Sequence, residues 1–245
     1  MTCDTLEVQA LFNSKARFWR KKYGPKGKLH WRMEVFAGRL VELAAPPARI
    51  LDLGCGPGEI SRALEELGYQ VTGCDIAEEM LEVARRSAST AEPAVPTCPP
   101  LWTLLDPDWK RLPFEDGWFD AVVASSVFEY LGDVPAVAAE LARVLRPAGT
   151  LLLTVPNPYH RLRRVEAALK RLAANRLLAA CLEPVPRLAA FAAYLRLSKN
   201  RWNAQEWCRV LRHAHFQALQ SQDFTERAWQ EQSHASLVLL AVRKT

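Results

Sequence analysis

The sequence predicts an α/β fold, a mostly parallel sheet with helices on both faces and a small helical insertion late in the chain. Three observations carry this reading. From position 49 onward, short apolar runs alternate with helix-spaced stretches of about 10–15 residues. A glycine cluster follows the first apolar run directly. The alternation stops after Asn157-Pro158 and resumes near the C-terminus.

Taken in order, Arg49–Leu53 is apolar and reads as a buried first strand. Glu59–Leu67 has helical spacing through Ile60, Leu64 and Leu67, with Gly68 as its stop. Gln70–Ile76 gives a second strand. Ala77–Ser87 gives a second helix with Met80, Leu81 and Ala84 on one face. Residues 88–100 hold four prolines and no periodicity, which predicts a loop. Leu101–Leu105 and Phe119–Ala124 read as the third and fourth strands. Val134–Leu145 reads as a helix closed by Arg146-Pro147-Ala148-Gly149, and Thr150–Val155 as the fifth strand.

Beyond that point His160–Asn175 is amphipathic, with Leu162, Val165, Leu169 and Leu172 on one face, and Pro186–Leu197 is a second helical piece. Residues 158–202 are therefore read as a helical lid inserted after strand five. Residues 1–45 are read as an N-terminal helical cover, and 1–245 as a single domain. Asn203 has Glu206 three positions on, a capping-box pattern that predicts a helix to about His215. Gln217–Phe224 and Ser236–Arg243 complete the strands.

Composition is that of an ordinary globular protein: 49% hydrophobic and 24% charged over 245 residues, enough apolar material for a sizeable core. The six cysteines form no C-x-x-C pair, so zinc-ribbon and thioredoxin-like readings lack their spacing. The first residues lack the apolar segment of a secretory signal, and no apolar run approaches the ~20 residues of a membrane span. A cytoplasmic protein with reduced thiols is expected. The net charge of +5 is unevenly placed. Lys15, Arg17, Arg20, Lys21, Lys22, Lys26, Lys28 and Arg32 fall in one acid-free stretch, and Arg161, Arg163, Arg164, Lys170, Arg171 and Arg176 in another that holds one acid, Glu166. Such runs are either solvated faces or attract acidic ligands, nucleic acid or anionic lipid.

The turn after the first strand carries the functional signal. It reads Asp52-Leu53-Gly54-Cys55-Gly56-Pro57-Gly58-Glu59. Glycines allow a tight turn and a close ligand approach, and the next helix presents unpaired N–H groups. A dinucleotide fingerprint would place its third small residue at position 59, which is Glu59, and no Gly-Lys-Ser/Thr of a P-loop follows. Pyrophosphate is therefore disfavoured. Asp75 ends the second strand, where a carboxylate can accept two hydrogen bonds from a ribose diol or cap the next helix.

Residues 50–158 resemble the class I S-adenosylmethionine (SAM)-dependent methyltransferases. The resemblance rests on the D-x-G-x-G-x-G turn and the acidic end of strand two. It rests also on Leu112-Pro113-Phe114 through Asp120-Ala121-Val122-Val123, and on Leu145-Arg146-Pro147-Ala148-Gly149-Thr150. It implies a Rossmann-like seven-stranded sheet with an antiparallel last strand, SAM as methyl donor and S-adenosylhomocysteine (SAH) as product. It implies a cofactor site of Asp52, Gly54, Cys55, Gly56 and Gly58 at the turn and Asp75 on the ribose. Ile76 and Met80 would line the pocket, Asp108 (with Asp106 as competitor) and Trp109 would meet adenine, and Ala124 and Ser125 would approach the methionine part. Residues 12–40 are similar to the start of ubiquinone-pathway O-methyltransferases, through Phe18, Trp19, Tyr23 and Leu29-His30-Trp31-Arg32. That similarity makes Arg32 the candidate partner of the SAM carboxylate.

Those quinone enzymes carry Glu-x-x-Glu-His after strand four to serve a metal. Here the run is Ser126-Val127-Phe128-Glu129-Tyr130, so no metal is expected and catechol chemistry is put in doubt. A hydroxyl acceptor would benefit from a base, for which His160, Tyr130, Glu129 and His30 are candidates. The reading is methyl transfer to a small-molecule hydroxyl on a hydrophobic, aromatic or glycosylated metabolite. An acidic acceptor and a peripheral membrane contact are suggested by the insertion's two faces. Nucleic acid is not expected, since no binding appendage is recognisable. Transfer to carbon or nitrogen, a macromolecular acceptor such as RNA, and SAM binding without catalysis stay open as alternatives.

Overall fold

Seven strands form one sheet in the order β3-β2-β1-β4-β5-β7-β6 in the computed structural model. It describes residues 3–88, 101–173, 186–220 and 225–245, apart from positions 25, 28 and 233. Most of the predicted proline-rich loop (89–100), the end of the predicted insertion helix (174–175) and 221–224 of the predicted sixth strand lie outside the described residues, as do Lys28, Cys98, Arg176 and Cys181.

The strands are β1 (Arg49–Leu53), β2 (Gln70–Asp75), β3 (Leu101–Leu104), β4 (Phe119–Ser125), β5 (Leu145–Pro156), β6 (Phe216–Ala218) and β7 (Leu237–Lys244). β1 to β5 pair in parallel, whereas β7 runs antiparallel to both β5 and β6. The sheet is covered on both faces, as near-continuous apolar strands require. Leu51, Leu53, Val122 and Leu153 point into one core with Phe128, Leu141 and Trp207. Ile50, Ala121, Val123 and Leu152 point into the other with Phe36, Leu40 and Leu64.

The helices are α1 (Cys3–Trp19), α2 (His30–Leu43), α3 (Glu59–Glu66), α4 (Glu78–Ala88), α5 (Val134–Val144), α6 (Arg161–Ala173), α7 (Pro186–Leu197), α8 (Ala204–His213) and α9 (Glu226–Glu231). The Asn203–Glu206 capping box at the start of α8 is present in both directions, with Asn203 Oδ1 accepting from Glu206 N–H at 3.0 Å. α1 bridges two regions: Val8 and Leu11 pack on Leu197 of α7, and Ala16 packs on Ala77 and Met80 beside α4.

Three sequence expectations are corrected and one helix is added. β5 begins at Leu145 instead of Thr150, because the stretch 146–148 loops out as an exposed irregularity between the Phe119–Leu145 and Ala121–Thr150 pairings. β6 covers three residues, far less than the predicted strand. α9 was not predicted, although Thr225 caps it and its Trp229 is fully buried. α6 is turned over: Leu162, Val165 and Leu169 are exposed, and Arg163 and Glu166 are buried. Its charged face is the inward one because it makes a closed ionic network, described below.

One unforeseen contact shapes the ligand edge. A Cβ at Gly58 would stand 2.3 Å from the Trp102 ring, and one at Gly73 2.5 Å from the same ring. The indole thus fills the space that two missing side chains leave between β2, β3 and the β1 turn. Gly73→Ala should cost about 1–3 kcal/mol by overpacking. In a Trp102→Leu background that cost should shrink to a few tenths, read from urea-denaturation midpoints. Equal costs in both backgrounds would show that the indole is not the obstacle.

Candidate active site

The strand order reverses between β1 and β4, so the crevice beyond their carboxyl ends is the place where this architecture takes ligands. A cavity of about 950 Å³ opens there. Its wall includes Gly54, Cys55 and Gly56 after β1, Asp75 and Ile76 after β2, and Ser125, Glu129 and Tyr130 after β4.

The turn is built from left-handed backbone. Gly54 and Gly56 have φ of 67° and 56°, and Gly54 and Cys55 both donate their N–H to the Cys74 carbonyl, at 2.7 and 3.1 Å. At Gly54 a Cβ would strike Val127 at 2.4 Å. At Gly56 it would meet only the Met80 sulfur, at 4.0 Å, so this backbone faces open cavity. Gly58 is not on the wall; it serves the Trp102 contact.

Asp75 clasps the turn. Its Oδ2 accepts from Gly56 N–H and its Oδ1 from Ala77 N–H, both at 2.8 Å. Each oxygen keeps a further lone pair for a ligand hydroxyl. Burial raises its pKa against the pull of those N–H bonds. Asp52 lies beneath, with Oδ2 accepting from Ser61 Oγ at 2.6 Å. Burial, reinforced by Asp75 and opposed by the Ser61 hydrogen bond, pushes Asp52 up to about 7. Neither carboxylate makes an ion pair among the described residues.

Arg32, at the start of α2, reaches over the same end. Its guanidinium donates to Ser125 Oγ at 3.3 Å, while its Nε is buried with no hydrogen-bond partner. A buried, unused donor at the wall is what an incoming carboxylate would satisfy. On the adjoining wall, Thr5 of α1 donates to Asp108 Oδ1 at 2.8 Å. Asp106 is spent on an Asx turn, accepting from Asp108 N–H at 2.8 Å. Trp109 and Met80 also line the cavity.

Besides Gly58, three candidate site residues sit elsewhere. Ala124 is fully buried in the core and is not on the wall, since alternate residues of β4 face opposite layers. His160 is also off the wall: its Nδ1 accepts from Leu162 N–H at 3.1 Å at the start of α6, so the imidazole serves the helix end. His30 uses Nδ1 on the Tyr23 carbonyl at 2.9 Å and is absent from the wall.

The far half is built around Glu129, which is buried. Its Oε2 accepts from Ser198 Oγ at 2.6 Å and lies 3.9 Å from an Arg163 nitrogen, while Oε1 makes no hydrogen bond among the described residues. Arg163 donates to Glu166 at 3.1 Å and to the Tyr194 hydroxyl, and Arg201 pairs with Glu166 at 3.1 Å. This network ties α6 and α7 to the turn after β4. Tyr130 meets Phe12 edge-on at 5.2 Å between centroids, and burial and Glu129 hold its phenol well above the usual range. The Glu129–Ser198–Arg163 constellation was hidden in the sequence, because its members are distant along the chain. Among the described residues no group of three or more His, Cys, Asp or Glu could hold a metal ion.

Residues 51–153 match the family described as a methyltransferase domain. With the sheet order and the glycine turn, this match supports a class I SAM-dependent methyltransferase domain over that stretch. Among curated relatives, the ubiquinone biosynthesis O-methyltransferase of Xanthomonas campestris pv. campestris is 34% identical over 156 residues, 60% of this chain and 59% of the relative. The malonyl-[acyl-carrier protein] O-methyltransferase of Legionella pneumophila is 37% identical over 122 residues, 49% of this chain and 40% of that one. The chain thus spans well under two thirds of the length of these relatives. A crystal structure of magnesium protoporphyrin IX methyltransferase from Synechocystis PCC 6803 with bound SAH shares the fold, with a TM-score of 0.69 at 19% identity, covering 99% of this chain and 100% of that one.

The unpaired burial of Asp52 has a consequence for stability. The unfolded carboxyl titrates near 3.8 and the folded one near 7, so the folded state holds more protons between those values. Stability is therefore lost as pH rises through that window. Glu65, raised to about 7 chiefly by burial, acts in the same direction. Urea midpoints of ligand-free protein should fall between about pH 4 and 7. Asp52→Asn keeps an acceptor oxygen for Ser61 and should flatten that slope, and an unchanged slope would contradict the assignment.

Proposed function

We propose that the chain transfers the methyl group of SAM to a hydroxyl of a small hydrophobic or aromatic acceptor, leaving SAH. The observation that carries the proposal is the continuity of one cavity from the Gly56–Asp75 cradle to a chamber walled by Phe12, Trp19, Tyr130 and Tyr194. The named O-methyltransferases among the relatives support the choice of oxygen.

In this reading Asp75 accepts the ribose hydroxyls, Arg32 takes the amino-acid carboxylate and Asp52 faces the ammonium group. Asp108 and Trp109 receive adenine between Ile76 and Met80. The bound cofactor supplies a methyl already activated for in-line displacement. The chain's task is then to orient the acceptor and keep water out. Glu129, with Oε1 uncommitted, is placed to accept the acceptor's hydroxyl proton, and Ser198 and Arg163 hold it in position. α1 and α2 act as a cover, and α6 and α7 as a lid tied down by the Arg163–Glu166–Arg201 network.

A cytoplasmic site of action fits the free thiols Cys55, Cys74 and Cys208. No helix among the described residues is long and apolar enough to cross a membrane. The exposed Leu162, Val165 and Leu169 beside Arg161 and Arg164 favour peripheral contact with an anionic lipid surface. Sedimentation with anionic but not with neutral vesicles would support that contact, and equal recovery with both would remove it.

SAM and SAH should raise the melting temperature, and NAD should not. Asp75→Ala should weaken SAH binding roughly 100-fold, the worth of about two charge-assisted hydrogen bonds. Glu129→Gln should leave SAH affinity within about twofold while abolishing most labelled-methyl transfer to phenols. Full transfer by Glu129→Gln would reject the carboxylate as base.

A further inference from the structure

A smaller cavity of about 290 Å³ shares Arg163 with the wall of the large one. It is bounded by the end of β5, one side of α6 and the segment after α7. Pro156, Pro158, Ala167 and Ala168 give it apolar walls. Arg163, Arg164 and Arg201 give it charge, and no acid lines it among the described residues. Pairing leaves that charge incompletely answered. Glu166 Oε2 is shared: it lies 3.1 Å from both Arg163 Nη1 and Arg201 Nη1, and the Tyr194 hydroxyl donates to it at 3.3 Å. Glu129 stands 3.9 Å from Arg163. Even with both acids counted in full, three guanidiniums face two carboxylates. The one left over is Arg164, which is exposed and whose side chain makes no hydrogen bond or ion pair among the described residues. Arg201 is largely buried, and its Nη2 has no hydrogen-bond partner. Burial first, then the charges of Arg201 and Lys199, push the nearby Lys170 amine down, with no acid raising it.

We infer that this cavity is a second ligand site, taking a small organic carboxylate whose charged end lies between Arg164 and Arg201. The single unanswered charge favours a monoanion over a phosphomonoester, which would bring close to two charges. A guanidinium fork holds a carboxylate through two parallel N–H donations, and Arg164 has its side-chain donors free among the described residues. The apolar walls call for a carbon body, which a free inorganic ion lacks. The volume is about ten times the ~30 Å³ share of one water, which limits that body to roughly one aromatic ring. Such an occupant touches β5, α6 and the segment after α7 together. It would clamp the lid from outside the large cavity, beside Arg163 and, through it, Glu129. The site stands whether or not the large cavity transfers methyl groups.

The test is fluorine NMR titration of 4-fluorobenzoate and 4-fluorobenzyl alcohol into the protein, with and without saturating SAH. The acid should bind about tenfold more tightly than the alcohol, the worth of one charge-assisted fork. Arg164→Gln should cost the acid about that tenfold, and Arg164→Lys, which keeps the charge without the fork, should cost less. Ala168→Phe should fill the cavity and remove binding. Arg164→Gln and Ala168→Phe should both melt close to wild type without ligand, since the two positions are exposed. 4-Fluorobenzoate should raise the melting temperature of wild type and leave that of Ala168→Phe unmoved. SAH should not displace the acid. Equal binding of acid and alcohol, undiminished binding in Arg164→Gln and Ala168→Phe, displacement by SAH, or no binding of the acid would overturn the inference. Tighter binding of 4-fluorophenyl phosphate than of 4-fluorobenzoate would overturn it too. Failure of SAH to bind in the same samples would count against the methyltransferase reading alone.

Discussion

The molecule depends on one tight turn. Backbone after β1 must reverse through left-handed glycines at the point where the strand order changes direction, and that reversal is held by Asp75 from the neighbouring strand. The clasp joins β1 to β2 at their carboxyl ends and leaves the Gly56 backbone facing open space. Trp102 fixes the far side of the same turn by filling the room left at Gly58 and Gly73. The proposed contacts of Gly56 and Asp75 follow from this arrangement.

Electrostatics marks the turn end of the cavity. Around the turn, Asp52 and Asp75 are buried without an ion pair among the described residues, and both are held toward their protonated forms. SAM brings a sulfonium and an ammonium, which would make their ionised forms favourable again. The chain carries this burial as a cost to stability, and a cationic ligand at the turn would offset it.

The fold was largely legible because its signals are local. Strand–helix alternation, the glycine turn and the Asn203–Glu206 cap each lie within a few residues. Several residues of the cavity wall were legible for the same reason, since Gly54, Gly56, Asp75, Met80 and Asp108 are set by position after a strand. Where sequence reasoning missed, the deciding contact was non-local. His160 looked like a pocket histidine until its ring was seen to cap α6. Ala124 fell on the wrong side by the two-residue period of its strand. α6 read as an apolar face directed inward, yet Arg163 and Glu166 are the buried side because Arg201 and Tyr194 arrive from distant segments to meet them. The indole at Trp102 gave no local hint that two glycines existed to accommodate it.

The account stands most directly on a crystal structure with SAH. It predicts the ribose hydroxyls within hydrogen-bond distance of both Asp75 oxygens, with Gly56 against the ligand and the ligand carboxylate on Arg32. A nucleoside bound away from Asp75, or a β1 turn that holds nothing, would contradict it.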